Sequence, residues 1–219
     1  ARAPGGFLCH HKGGAAVLGR YFKIKIGKRS LAEVFLDSDQ LEELDLIFDT
    51  VRCNTKNLVI LLTKETMHRM WCAGEMATAV CCKVPIVPVA CDDYVAPDEQ
   101  ALERLHEIWS EEQKHTLGTH GIDIPMIQGA YRFIRELPKL VFKRFASSAV
   151  LEAVIVKVVD QCRLQRSGGS FHASDAASAA QIAIAGNAED PEAVCICEIL
   201  REMVQVRMQV VAEVVRSIQ

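Results

Sequence analysis

Short apolar runs alternate with longer segments whose apolar residues recur at helical spacing, and this alternation organises most of the chain. Gly6-Phe7-Leu8-Cys9-His10-His11 has the pattern of a buried strand passing into the glycine turn Lys12-Gly13-Gly14. Ala15 to Ile26 then carries Val17, Leu18, Tyr21 and Phe22 on a helical period. Glu33-Val34-Phe35-Leu36 is a second strand, ending in Asp37-Ser38-Asp39, whose carboxyl and hydroxyl oxygens suit a turn and a helix cap. Leu41, Leu44, Ile47, Phe48 and Val51 trace one face of a helix over 40–52. Leu58-Val59-Ile60-Leu61-Leu62 is unbroken apolar, as a central parallel strand covered on both faces should be. Thr63-Lys64-Glu65-Thr66 leads into a helix that runs to about Lys83.

A fourth strand comes next, over Val84 to Ala90, and its two prolines, unable to donate ladder hydrogen bonds, place it near the sheet edge. Leu102, Leu105, Ile108 and Trp109 predict a helix from Pro97 to about Glu112. His115 to Asp123 reads as a loop, Ile127 to Leu137 as a helix, Leu140-Val141-Phe142 as a fifth strand and Ala149 to Cys162 as a helix. Strands alternating with helices of this length predict an α/β fold with a mostly parallel five-stranded sheet covered on both faces.

After Arg163 the pattern changes. The stretch 165–190 has few large apolar residues and reads as a linker between an α/β domain at 6–164 and a terminal amphipathic helix at 191–219. That helix starts at Asp190-Pro191-Glu192, and its broad stripe includes Val194, Cys197, Leu200, Val204, Val211, Val215 and Ile218. A stripe so wide must pack on its own domain or on a partner.

Composition narrows the function classes. The 219 residues are 50% hydrophobic and 24% charged with a formal net charge of −3, which describes a globular chain without a nucleic-acid footprint. Nine cysteines is an odd count, with Cys81-Cys82 adjacent and no C-x-x-C unit. This indicates a reducing compartment, cytoplasmic or organellar, and argues against both a disulfide framework and a metal site. No apolar run is long enough for a membrane span, and no secretory signal opens the chain.

Chemistry concentrates at Trp71 and Glu75, one helical turn apart on one face and about 6 Å apart along the axis. On spacing alone, Trp71 as a core anchor and Glu75 as a solvated charge explain the pair. In a doubly wound sheet, however, the loops leaving the carboxyl ends of the strands build the site, and this helix begins just after one of them. Lys12-Gly13-Gly14 matches neither the dinucleotide fingerprint nor the P-loop. His68, His106, His115, His120 and His172 read as isolated surface groups, and Asp92-Asp93 as a turn cap.

Several boxes together resemble the TIR (Toll/interleukin-1 receptor/resistance) domain. Phe7-Leu8-Cys9-His10-His11-Lys12 is similar to its first-strand box, Val34 to Leu41 to its second strand and adjoining loop, and Asn57 to Thr63 to its third strand. Trp71-Cys72-Ala73-Gly74-Glu75 is similar to the Trp-Cys-x-x-Glu stretch of members that cleave NAD. The resemblance spans about residues 6 to 163 and implies a flavodoxin-like three-layer sandwich. It implies Glu75 as the catalytic glutamate of an NAD glycohydrolase, with Trp71, Cys9, His10, Lys12, Asp37, Asp39 and Leu41 forming the substrate site. NAD is then substrate, and no cofactor or metal is implied. The chain departs from the pattern in its clipped first box, in the acidic Gln40-Leu41-Glu42-Glu43-Leu44 loop and in the segment 115–137. The family also contains modules that catalyse nothing, so a second expectation is an interaction subunit that self-associates or joins an assembly through the 40–44 loop and the helix 191–219.

Overall fold

The computed structural model describes residues 5–36, 46–166, 181–186, 189–208 and 211–215. Five strands form one sheet: β1 (Gly6–Cys9), β2 (Val34–Leu36), β3 (Leu58–Leu62), β4 (Ile86–Cys91) and β5 (Leu140–Phe142). They lie in the order β2-β1-β3-β4-β5, and every neighbouring pair is parallel. This is the doubly wound, flavodoxin-like order, which places its topological switch point between β1 and β3.

The period-two alternation of the strands separates two cores. Phe7, Cys9, Leu58, Ile60 and Leu62 point into one, Leu8, Val59, Leu61, Val87 and Val89 into the other. The first is closed by α2 (Ile47–Asn54), α3 (Met70–Cys81), α5 (Glu111–Thr119) and α6 (Ile124–Glu136), with α4 (Glu99–Glu103) contributing Leu102. The second is closed by α1 (Lys12–Arg29), α7 (Ser148–Gln161) and α8 (Pro191–Met208). All five residues of β3 are buried, because helices cover both of its faces.

The fourth strand lies near the sheet edge, as its prolines led one to expect, and two other elements differ from the sequence expectation. Strand β4 has neighbours on both sides, β3 along its length and β5 only over Val89–Cys91. Pro88 fits because β5 pairing begins one residue later, so its missing N–H removes no bond on that side. The expected loop at 115–123 is largely helix: Ser110 caps α5 by accepting from the Gln113 N–H, while the Gln113 side chain accepts from the Ser110 N–H. The terminal helix stops at Met208, and Val211–Val215 forms β7, which pairs in parallel with β6 (Gln181–Ala185). Valines at 211, 214 and 215 suit a strand better than a helix because of their stiff, branched Cβ. The unit β6-α8-β7 thus repeats the topology of β1-α1-β2, with an 18-residue helix in each.

Helix α8 packs across α1, and charge fixes the contact. Lys25 of α1, only 1% exposed, meets Glu152 of α7 and Glu202 of α8, while Lys28 also reaches Glu202 and Arg29 reaches Glu152. Burial works to push the Glu202 carboxyl up, but the hydrogen bonds from Lys25 and Lys28 outweigh it and bring it down to about 2. Ser148 and Arg201 both donate to Glu198, and the Glu192 side chain accepts from the Val17 N–H. Among the described residues no helix is long and apolar enough to cross a membrane.

Candidate functional site

The segments leaving the carboxyl ends of β1 and β3 build the switch point. After β3, Thr66 donates through Oγ1 to the Leu61 carbonyl at 2.8 Å and accepts from the Thr63 N–H at 3.0 Å, which tightens the turn. A short 3-10 turn, Thr66–His68, leads into α3. Its carbonyls are held from across the core: the Tyr131 hydroxyl donates to Met67 O at 2.6 Å and the Trp109 indole N–H to His68 O at 2.7 Å. Both donors come from buried aromatics, so the β3-α3 connection is fixed in place instead of being free to swing.

After β1, the chain is tied to α3. The His10 carbonyl accepts from Arg69 Nη1 at 3.1 Å and from Cys72 Sγ at 3.2 Å. His11 caps α1, its Nδ1 accepting from the Gly14 N–H at 3.1 Å. Burial, then the Arg69 charge, lower the His11 pKa, in keeping with an imidazole that must stay neutral to accept.

A cavity of about 440 Å³ opens here, within the range of small-molecule sites. Its walls are His11 from the β1 side, Glu65, His68, Arg69, Met70 and Trp71 from the β3 side, and Glu112, Gln113 and Thr116 from α5. Trp71 stacks on Phe48 of α2 with centroids 5.5 Å apart, and His120 packs edge-on against Phe48 at 5.1 Å. His120 is therefore a packed aromatic neighbour of the site, not an isolated surface group.

Glu75 lies one turn deeper. It is 2% exposed and does not line the cavity. Its carboxyl oxygen, Cys9 Sγ and Cys72 Sγ all lie within 4.8 Å of one another, and all three residues are buried. Burial pushes the Cys9 thiol well up, and the adjoining Cys72 and Glu75 push it further. Close packing also explains Gly74: a Cβ there would overlap the Phe48 ring and come within 3.2 Å of Leu117 Cδ2.

The structure thus brings Trp71, Glu75, Cys9 and His10 to one sheet edge. His10 is buried and contributes its carbonyl, so that His11 and not His10 faces the cavity. Lys12 begins α1 half-buried and is not a wall residue. Asp37, Asp39, Leu41 and the 40–44 loop lie outside the described residues. Asp92-Asp93 is no turn cap but an ion-paired seat for Arg144: Asp92 accepts from its backbone N–H and Nε, both at 2.9 Å, and the Asp93 carboxylate forms an ion pair with Nη2 at 3.0 Å. His11 and Arg69 lie in the loops after the first and third strands that were expected to build the site, whereas the α5 wall of Glu112, Gln113 and Thr116 was not expected. The capping box Ser110-Glu111-Glu112-Gln113 was the signal that could have shown α5 to be a helix, though not where it packs.

No family model matches the chain, and no curated protein matches it. Among solved structures it is similar to the TIR domains of the activated Roq1 resistosome directly recognizing the pathogen effector XopQ. That likeness has 12% identity and a TM-score of 0.47, covering 71% of this chain and 96% of that one. The strand order and the two alternating cores, independent of this likeness, establish the flavodoxin-like fold.

Proposed function

We propose that the chain is a TIR-like module that binds NAD at the β1/β3 switch point and cleaves its nicotinamide–ribose bond, with Glu75 as the catalytic carboxyl. The observation that carries this reading is that one helix presents an aromatic wall and a buried carboxyl at the switch point. Trp71 lines the cavity, and Glu75 meets the end of β1 one turn below. As NAD enters and Glu75 is uncovered, its carboxyl takes a hydroxyl of the nicotinamide-side ribose. It offsets the positive charge that develops at the anomeric carbon as the glycosidic bond breaks. Nicotinamide, cationic in NAD, leaves neutral with the bonding electron pair, so no general acid is required. Water then gives linear ADP-ribose, and intramolecular attack the cyclic product.

A second reading rests on the burial of Glu75 itself, 2% exposed and off the cavity wall. On that reading the chain is a catalytically silent interaction module that self-associates or joins a larger assembly through the 40–44 loop and α8. Incubating purified chain with NAD at high protein concentration, beside Glu75→Ala, separates the two. Nicotinamide release that disappears in the variant supports the enzyme. No release, or equal release from both, supports the interaction module.

A further inference from the structure

Cys9, Cys72 and Glu75 form the one place among the described residues where three metal-ligating side chains converge. Cys9 closes β1, and Cys72 and Glu75 stand three residues apart on α3, so both project toward the same strand end. The backbone holding them is itself fixed. Cys72 and Arg69 both bond His10 O, joining the end of β1 to the first turns of α3. The three residues are 0%, 1% and 2% exposed.

The geometry points to a binding site for one divalent cation of the zinc class, held by the two sulfurs and the Glu75 carboxyl. Two sulfurs and one carboxylate oxygen are a borderline-soft donor set suited to tetrahedral zinc, for which thiolate bonds of about 2.3 Å and carboxylate bonds of about 2.0–2.2 Å are usual. Ligand atoms already within 4.8 Å of one another need only close slightly around the ion. Each sulfur gives up its S–H proton to solvent as its metal bond forms, so binding one cation releases two protons. Three protein ligands leave the fourth tetrahedral position to a water or another small ligand. The site has a regulatory consequence that rests on the catalytic reading of Glu75: a cation bound there occupies the carboxyl and stops NAD cleavage.

Cobalt(II) added to the reduced, metal-free chain tests the site, because thiolate-to-cobalt charge transfer absorbs in the near ultraviolet and tetrahedral cobalt in the visible. The expected result is both bands saturating at one equivalent and bleaching as zinc displaces cobalt. The bands persist when the exposed Cys53, Cys81 and Cys82 are changed together to Ser. They are lost in Cys72→Ser and in Cys9→Ser, each checked for folding by circular dichroism, and Glu75→Gln weakens binding at least tenfold. Absence of the bands from the wild-type chain, or bands that survive both cysteine variants, overturns the proposal. Nicotinamide release with and without zinc keeps the two readings apart. Cobalt binding without any NAD cleavage leaves the metal site standing and removes the catalytic reading, whereas cleavage without cobalt binding does the reverse.

Discussion

Trp71 and Glu75 stand one turn apart on α3 and meet different surroundings: the indole stacks on Phe48 at the cavity wall, while the carboxyl is enclosed with Cys9 and Cys72. A ligand in the cavity therefore touches Trp71 before it reaches Glu75. The chain has two tryptophans, and the other, Trp109, is 4% exposed with its indole bonded to His68 O. NAD is expected to quench the indole emission of the wild type in a saturable titration. In Trp71→Phe, where only Trp109 emits, most of that quench is lost. Equal quenching in both would place the ligand elsewhere.

Gly74 is where α3 comes closest to α2, and a methyl there would overlap the Phe48 ring. Gly74→Ala adds helix propensity, worth about 1 kcal/mol on an exposed helix. Overpacking against a fixed ring costs about 1–3 kcal/mol and prevails here. The urea midpoint of Gly74→Ala should fall, and Phe48→Leu in the same chain should recover part of the loss.

Acid should loosen the contact of α8 with α1. The Glu202 carboxyl is held at about 2, below its unfolded value. Its contribution is therefore fully present above about pH 4.5 and is lost as pH falls toward 2. Arg201 also reaches Glu202, at 3.1 Å, so the carboxyl is ionised among three cations. Urea denaturation across this window should show the wild type losing about 1–3 kcal/mol relative to Glu202→Gln. The two should converge at the acid end.

Arg144 ties the ends of β4 and β5 together through Asp92 and Asp93. Burial works against its charge, and the hydrogen bond to Asp92 with the Asp93 charge outweighs that and raises its pKa. Arg144→Ala should lower stability by about 1–3 kcal/mol in urea. Arg144→Lys should restore only part, because an ammonium cannot make the forked contact with both carboxylates.

The sheet was legible because its signals are local. An unbroken Leu58 to Leu62 run announces a strand covered on both faces, and the helical spacing of Leu18 and Phe22 announces what covers one of them. The prolines of the fourth strand were a usable signal: β4 lies one strand from the edge, and Pro88 sits where β5 pairing has not yet begun. The candidate site was half legible. Trp71 and Glu75 share a face by helical arithmetic, yet that arithmetic says nothing of what closes over each. Glu112 reaches the cavity through tertiary packing of α3 against α5, and no local spacing encodes that contact. The strand β7 was hidden because Val210, Val211, Val214 and Val215 fit a helical stripe as well as a strand.

The measurement that bears most directly on the catalytic reading is nicotinamide release from NAD by the wild type and by Glu75→Gln. That change keeps the side chain's shape and removes its charge. The expected result is release by the wild type that rises with protein concentration, and a fall of roughly 100-fold or more in the variant at unchanged thermal stability. Release that is the same in both chains, or absent from the wild type at the highest protein concentration reached, contradicts that reading.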